Sequence, residues 1–276
     1  MEEMICVSEL SYSGRLGAPL KKLSFSIEKG GIHGILSPGG VEASTLLAIL
    51  AGSIVGVSGS LTMRSGDEIF AFGEVKKEKH CKRKIGYVPK TPEVYRDMTV
   101  YEILDFVGEA RGCASELRLR QIEEALDLIG LSDKENRLFE RLSAVEKKKV
   151  SLAAALLGNP SVLLIDEPIP AGANAADQRE IAELIRMLGK LKTIVLAGES
   201  LSTMREFCED VVLLSGGELL AKGSFAELEE NLACSEEKVS LDELYASLVA
   251  LAKEAELTKK LLLSEHSEQS KKEAKK

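Results

Sequence analysis

Two stretches of this chain hold residues whose types and spacing could do chemistry on a phosphate. The first runs from Gly31 to Gly52, GIHGILSPGGVEASTLLAILAG. Apolar Ile32 to Leu36 lead into a small-residue turn, Ser37 to Gly40. Strong helix formers follow from Ala43 to Ala51, and Gly52 is placed to end them. Strand, turn and helix in that order aim backbone N–H groups and a helix N-terminus at an anion. A phosphate loop reads G-x-x-x-x-G-K-[ST]. The comparable residues here are Ser37-Pro38-Gly39-Gly40-Val41-Glu42-Ala43-Ser44-Thr45. Gly40, Ser44 and Thr45 fit the pattern. Its first Gly is Ser37, its second is Glu42, and its Lys is Ala43. The second stretch is Val162-Leu163-Leu164-Ile165, a buried-strand run that ends in the adjacent carboxylates Asp166 and Glu167.

The elements that must position these groups follow from periodicity. Met4 to Val7 and Leu23 to Glu28 read as strands, with Tyr12 between them; Ser24 to Ile27 alternates with period two. Short strand signals recur at Ser60–Met63, Glu68–Phe72 and Ile85–Val88, the last halted by Pro89. A basic run, Lys76, Lys77, Lys79, Lys82, Arg83 and Lys84, reads as a solvated face. From Thr99 the period turns helical. Thr99 with Glu102, and Ser143 with Glu146, are capping-box patterns, and a helix of about Glu116 to Ile129 lies between them. Gly158-Asn159-Pro160 stops the last of these helices. This block reads as a helical subdomain inserted into an α/β core. The core resumes at Val162. A helix from Ala175 to Leu188, strand Thr193–Ala197, helix Ser202 to Cys208 and strand Val211–Leu214 follow, and Gly216-Gly217 turns into Glu218–Ala221. Apolar strands alternating with helices argue for a mainly parallel sheet. Beyond this, Leu241, Leu244, Tyr245, Leu248, Leu251 and Ala255 recur at helical spacing. After Ser264 the composition of Lys, Glu, Ser and Gln reads as disordered.

Composition narrows the function classes. The 276 residues carry a net charge of −8, which argues against nucleic acid as the main partner. Hydrophobic residues make up 45%, enough for a sizeable core. No apolar run approaches the roughly 18 residues a membrane helix needs. The acidic start MEEMICV lacks a signal-peptide pattern, so a cytoplasmic location is expected. Cys6, Cys81, Cys113, Cys208 and Cys234 are scattered and read as buried structural thiols rather than disulfide or metal ligands.

By Asp166 the order of features resembles the nucleotide-binding domain of ABC transporters, over roughly residues 3 to 225. Ile85-Gly86-Tyr87-Val88-Pro89 followed by Thr99-Val100-Tyr101-Glu102 resembles the Q-loop region and the start of the helical subdomain. Leu142-Ser143, then Lys149-Val150-Ser151-Leu152-Ala153, resembles the signature helix. Leu163 to Pro168 resembles the Walker B segment, and Val212 to Glu218 the closing hairpin. Val239 to Leu244 resembles a short C-terminal motif of exporter-type (ABC-2) members. The resemblance implies a P-loop NTPase-like α/β fold: a mainly parallel sheet, an antiparallel β subdomain, and an inserted α-helical subdomain at about 96–158. It implies a cassette over 1–225, a C-terminal helical extension over 226–263 and a charged tail over 264–276. ATP and Mg²⁺ are the implied ligands. Ser37, Gly39, Gly40, Glu42, Ala43, Ser44 and Thr45 would stand in the loop, Tyr12 against the adenine, and Asp166 with Ser44 at the metal. A membrane permease and a second ABC subunit are the implied partners, with the chain peripheral on the inner face of the cell membrane.

The functional positions depart from the family. The phosphate-loop Lys is Ala43 and its neighbouring Gly is Glu42. The Q-loop Gln falls at Lys90, and the signature reads Leu142-Ser143-Ala144-Val145-Glu146. The D-loop Asp falls at Ala173 and the switch His at Glu199. Glu42, Asp166, Glu167 and Glu199 would face Lys90 alone. A like-charge contact at ~4 Å and an effective dielectric near 20 costs on the order of 4 kcal/mol, roughly a 1000-fold loss of affinity. Glu42 is expected to fold over the helix N-terminus and take the place of a phosphate. Lys90 is expected to pair with Asp166 or Glu167. ATP binding is expected to be weak or absent, Glu167 idle, and the chain a non-hydrolysing subunit. Two further readings stand beside it. One is an atypical ATPase energising ABC-2 type export, with Lys90 supplying the missing charge. The other is a module in which Asp166, Glu167, Glu199 and Ser44 hold a divalent cation without nucleotide.

Overall fold

One helix, apolar round most of its circumference, is packed between two sheets, and the molecule is built outward from it. The computed structural model describes residues 2–65, 68–71, 83–92, 97–233 and 239–254. By its contacts the chain divides into two units, Met1–Phe225 and Ala226–Lys276. In the first unit, β1 (Glu3–Tyr12) and β2 (Leu20–Glu28) pair antiparallel. With β4 (Ser58–Ser65) and β5 (Glu68–Ala71) they form an antiparallel sheet in the order β2-β1-β4-β5. β3 (Ile32–Leu36) leads instead into a second sheet. Its partners are β6 (Ile85–Val88), β7 (Val162–Asp166), β8 (Thr193–Gly198), β9 (Asp210–Ser215) and β10 (Glu218–Ser224), in the order β10-β9-β3-β8-β7-β6. Every pairing there is parallel except β10 on β9.

The helix between the sheets is α1 (Val41–Leu50). Leu46, Leu47 and Leu50 are buried on it, against Leu10, Leu23 and Ile27 of one sheet and Ile35, Leu164 and Val195 of the other. Such burial is worth ~2 kcal/mol per leucine. The β3–α1 junction is therefore held from both sides. Burial follows the sequence pattern: β3, β7 and β8 are buried at every position, while β2 alternates.

The helical block comprises α2 (Val100–Ala110), α3 (Ser115–Ile129) and α4 (Ala144–Leu156). Both sequence-read capping boxes form, Thr99 with Glu102 and Ser143 with Glu146. Gly86 lets α4 approach the sheet edge: a Cβ there would lie 2.4 Å from the Ala155 carbonyl oxygen. α5 (Ala175–Gly189) and α6 (Leu201–Phe207) connect the later strands. Among the described residues no helix is long and apolar enough to cross a membrane.

In the second unit, α7 (Phe225–Ala233, its first residue closing the first unit) precedes a helix over 241–254. Ser240 caps the latter, taking the Glu243 amide on its Oγ and giving its own amide to the Glu243 carboxylate. Leu241 and Tyr245 of the apolar stripe are buried, but Leu251 is exposed. Ala255, Phe72, Cys81, Cys234, the tail, and Lys76 to Lys82 of the basic run lie outside the described residues. Among the described residues the reading of the thiols as buried holds for Cys208; Cys6, within β1, and Cys113, in the loop after α2, are half-buried.

Candidate functional site

The Ser37–Gly40 turn makes its own scaffold. The Gly40 amide donates to the Ser37 carbonyl at 3.0 Å, and the Ser44 amide to the Gly40 carbonyl at 2.9 Å. Ser37 Oγ accepts from the Ala43 amide at 3.1 Å, satisfying one of the helix's orphan donors. Gly40 holds a left-handed φ of 71° as N-cap of α1, with no side-chain cap. A Cβ there would stand 3.3 Å from Glu167 Oε1 and 3.6 Å from Glu199 Cβ, so the turn closes directly onto these two acids. Ala43 is completely buried and belongs to the core around α1. The loop has the strand–turn–helix form of a phosphate loop, with the Ala43 methyl at the position where that pattern has Lys.

The ends of β7 and β8 supply the acids. Ser44 Oγ donates to Asp166 Oδ1 at 2.8 Å, joining α1 to β7. Glu167 follows with a left-handed φ of 48°, held by its amide on the Ala197 carbonyl at 2.9 Å. A non-glycine residue in that region stores strain, and such strain collects at functional sites. Burial raises the carboxyl pKa of both Asp166 and Glu167, and the Glu199 and Asp166 charges raise that of Glu167 further.

Two lysines answer the three acids. Lys90 Nζ lies 3.6 Å from Glu167 Oε1, an ion pair longer than a hydrogen bond. Lys148 comes up from α4, buried, and donates to the carbonyls of Asp166 and, at 3.3 Å, of Pro89. Burial pushes its ammonium down to about 8, against the pull of Asp166 and Glu167. Lys90, Pro92, Ala144, Lys148, Glu167 and Glu199 line one cavity of ≈ 530 Å³. Lys148 was missed in the sequence because three consecutive lysines look like a wet face. Its signal was spacing: Val145, Lys148, Leu152 and Ala155 share one side of a helix, and all four are buried.

Several expected site residues are elsewhere. Glu42 does not fold over the helix N-terminus. Its Oε1 accepts the Gly217 amide at 2.9 Å, in the β9–β10 turn, and Oε2 is buried with no partner among the described residues. Burial raises its pKa. The direction is fixed by position: α1 turns this side chain toward the hairpin. Tyr12 is buried in the core of the antiparallel sheet, its hydroxyl accepting the Leu16 amide at 2.6 Å, so it offers no face to a base. Thr45 is buried too. Its Oγ1 donates to the Val41 carbonyl and accepts the Ala18 amide at 2.9 Å. In the signature segment only Ala144 reaches the cavity. Val145 is buried, while Ser143 and Glu146 close the α4 cap. Glu146 pairs with Lys134, which with the Ser143 amide holds its carboxyl down to about 2. Asn174, beside the D-loop position Ala173, caps α5 through the Ala176 and Asp177 amides.

The arrangement fits neither implied ligand well. A triphosphate needs a cation at the loop, and Ala43 supplies none. Ser44 Oγ and Asp166 Oδ1 are a pair that a Mg²⁺ ion could share. Among the described residues, however, no three His, Cys, Asp or Glu side chains converge to hold a metal. The reading of Asp166, Glu167 and Glu199 with Ser44 as a nucleotide-free metal module thus has no ready-made cluster of three such ligands behind it. The opposition of Glu42, Asp166, Glu167 and Glu199 to Lys90 alone is corrected. Glu42 leaves the pocket and Lys148 enters it, so three acids face two ammoniums.

Comparison with known proteins gives the family. The ABC transporter model matches residues 20–170. An uncharacterised ABC transporter ATP-binding protein of Synechocystis is 31% identical over 212 residues, covering 76% of this chain and 57% of the relative. A probable multidrug ABC transporter ATP-binding protein of Escherichia coli is 31% identical over 211 residues, 76% of this chain and 35% of the relative. The chain thus spans little more than half of the first and about a third of the second. Among solved structures, an ATP-binding subunit of an ABC transporter superposes with a TM-score of 0.74 at 23% identity, over 89% of this chain and 99% of its own. One from Clostridium perfringens, part of the transporter complex cbiONQ, gives 0.69 at 24%, over 86% and 97%. These structures establish the α/β P-loop NTPase fold.

Proposed function

This chain belongs to the ABC transporter family, as an ATP-binding-subunit-like protein, and we propose that it acts there without hydrolysing ATP. Its role is that of a structural or regulatory partner to a membrane permease or to an active ABC subunit, held peripherally on the inner face of the membrane. The observation that carries this reading is Ala43: a fully buried methyl stands at the one loop position built to bring a cation to the terminal phosphates. The altered signature supports it. Ser143 and Glu146 spend their hydrogen-bonding groups on the α4 cap, where an intact signature would present donors to a facing subunit's nucleotide. With both halves changed, a heterodimer with an intact subunit has no complete site.

Phosphate release from Mg-ATP by the purified chain tests this, with Glu167→Gln as background. We expect the two to be indistinguishable. Turnover by the natural chain that Glu167→Gln abolishes would sink the proposal.

A further inference from the structure

The carboxylates at the ends of β7 and β8 have cations of their own. Lys148 comes from the helical subdomain to the backbone at the strand ends and lines the same cavity as Glu167. It is buried and anchored on the carbonyls of Asp166 and Pro89, at the C-terminal ends of β7 and β6. Lys90 reaches them from the segment after β6, 3.6 Å from Glu167 Oε1. Glu167 Oε1 makes no hydrogen bond among the described residues, so its environment is balanced by charge rather than by a donor. Asp166 has the Ser44 hydroxyl on one oxygen and is itself buried. A carboxylate withdrawn from water without counter-charge is costly, and Asp166 is buried and Glu167 half-buried, so these ammoniums have a physical task.

We infer that Lys148 and Lys90 are the resident counter-cations of the Asp166–Glu167 pair, holding electrostatically the place where a nucleotide-borne divalent cation would act. The site is complete when empty. It gains nothing from Mg²⁺, and the α4–sheet joint is tied by Lys148 rather than by a ligand. Both lysines are positioning residues for the carboxylate turn. This inference rests on the reading of the chain as non-hydrolysing.

The test is thermal melting of the full chain, without nucleotide, in MgCl₂ and in NaCl of matched ionic strength. The natural chain should melt at the same temperature in both. Lys148→Met should melt several degrees lower, and Lys90→Gln, an exposed change that leaves packing intact, about 2 °C lower. Two rescues separate charge from packing. Adding Glu167→Gln to Lys90→Gln should restore the natural melting temperature. Mg²⁺ at ten times its dissociation constant should raise the melting temperature of Lys90→Gln by about 2–4 °C, and Asp166→Asn should abolish that rise. If Lys148→Met fails to fold, the Lys90→Gln arms decide alone. A natural chain stabilised by Mg²⁺, or a Lys90→Gln loss that neither Glu167→Gln nor Mg²⁺ repairs, overturns the inference and leaves the functional reading standing. ATP turnover by the natural chain overturns both.

Discussion

Several single residues at the positions that resemble the family's nucleotide site make other contacts in this chain. Glu42 clamps the β9–β10 turn through the Gly217 amide, 175 positions away. Burial raises its carboxyl pKa, so the ionised form costs stability near neutral pH. Glu42→Gln keeps an acceptor and removes the charge. Its melting temperature at about pH 8 should therefore exceed the natural chain's, by a margin that shrinks as pH falls toward the raised pKa. Equal melting at about pH 8 would contradict this. His33 is a second case of a shifted pKa. Its Nδ1 lies 2.7 Å from Asp210 Oδ1 and its Nε2 2.7 Å from the Gly30 carbonyl. A carbonyl only accepts, and so does an ionised carboxylate, so this setting favours a proton on both nitrogens and the cationic ring. Burial alone would lower its pKa, but the Asp210 and Gly30 hydrogen bonds and the charges of Asp210 and Glu209 together raise it. A raised pKa stabilises the fold fully below the unfolded value of about 6.5, and that contribution is lost as pH climbs through the folded value. Between about pH 6 and about pH 9 the natural chain should lose melting temperature faster than His33→Gln. Parallel curves would refute the cationic ring.

At the scale of elements, α4 is the piece that has changed its employment. Its N-terminus, where the family's signature stands, is closed on itself. Ser143 Oγ takes the Glu146 amide at 3.2 Å, and Glu146 takes the Ser143 amide at 2.7 Å and pairs with Lys134. Ser143→Ala should lower the unfolding free energy by about 1 kcal/mol, read from urea titration. A change within error would mean that the cap contributes nothing. The Glu146 carboxyl, held down to about 2, adds stability that is present above its ordinary 4.5 and is lost as pH falls toward 2. The other side of α4 is tied down by Lys148 on the sheet ends and by the Lys149 ion pair with Glu180 of α5. A helix held at its cap and along its side needs no nucleotide to keep its place.

Across the whole molecule, what could be read from sequence was what is local. Strand and helix patterns, both capping boxes of the helical block and the order of elements are set by residues within a few positions of one another, and periodicity exposes them. The approach of Ser44 to Asp166 followed from the ordered resemblance, which carries three-dimensional information that periodicity lacks. The direction of Glu42 and the burial of the Tyr12 ring depend on contacts between distant segments, and no spacing rule encodes them; spacing marks Lys148 as facing inward, but not that it meets the carbonyls of Asp166 and Pro89. They matter for the electrostatics: the pocket is less acidic than its sequence suggests, and the case against ATP rests on the missing loop cation more than on repulsion.

Calorimetric titration of Mg-ATP into the purified chain measures that missing cation most directly, with the double variant Glu42→Gly/Ala43→Lys as positive control. The account predicts no heat of binding for the natural chain and saturable binding for the variant, whose lysine restores the cation at the loop. Binding by the natural chain at about micromolar affinity, some −8 kcal/mol, would contradict it and would make Lys90 and Lys148 ligands of the phosphates instead of their replacement.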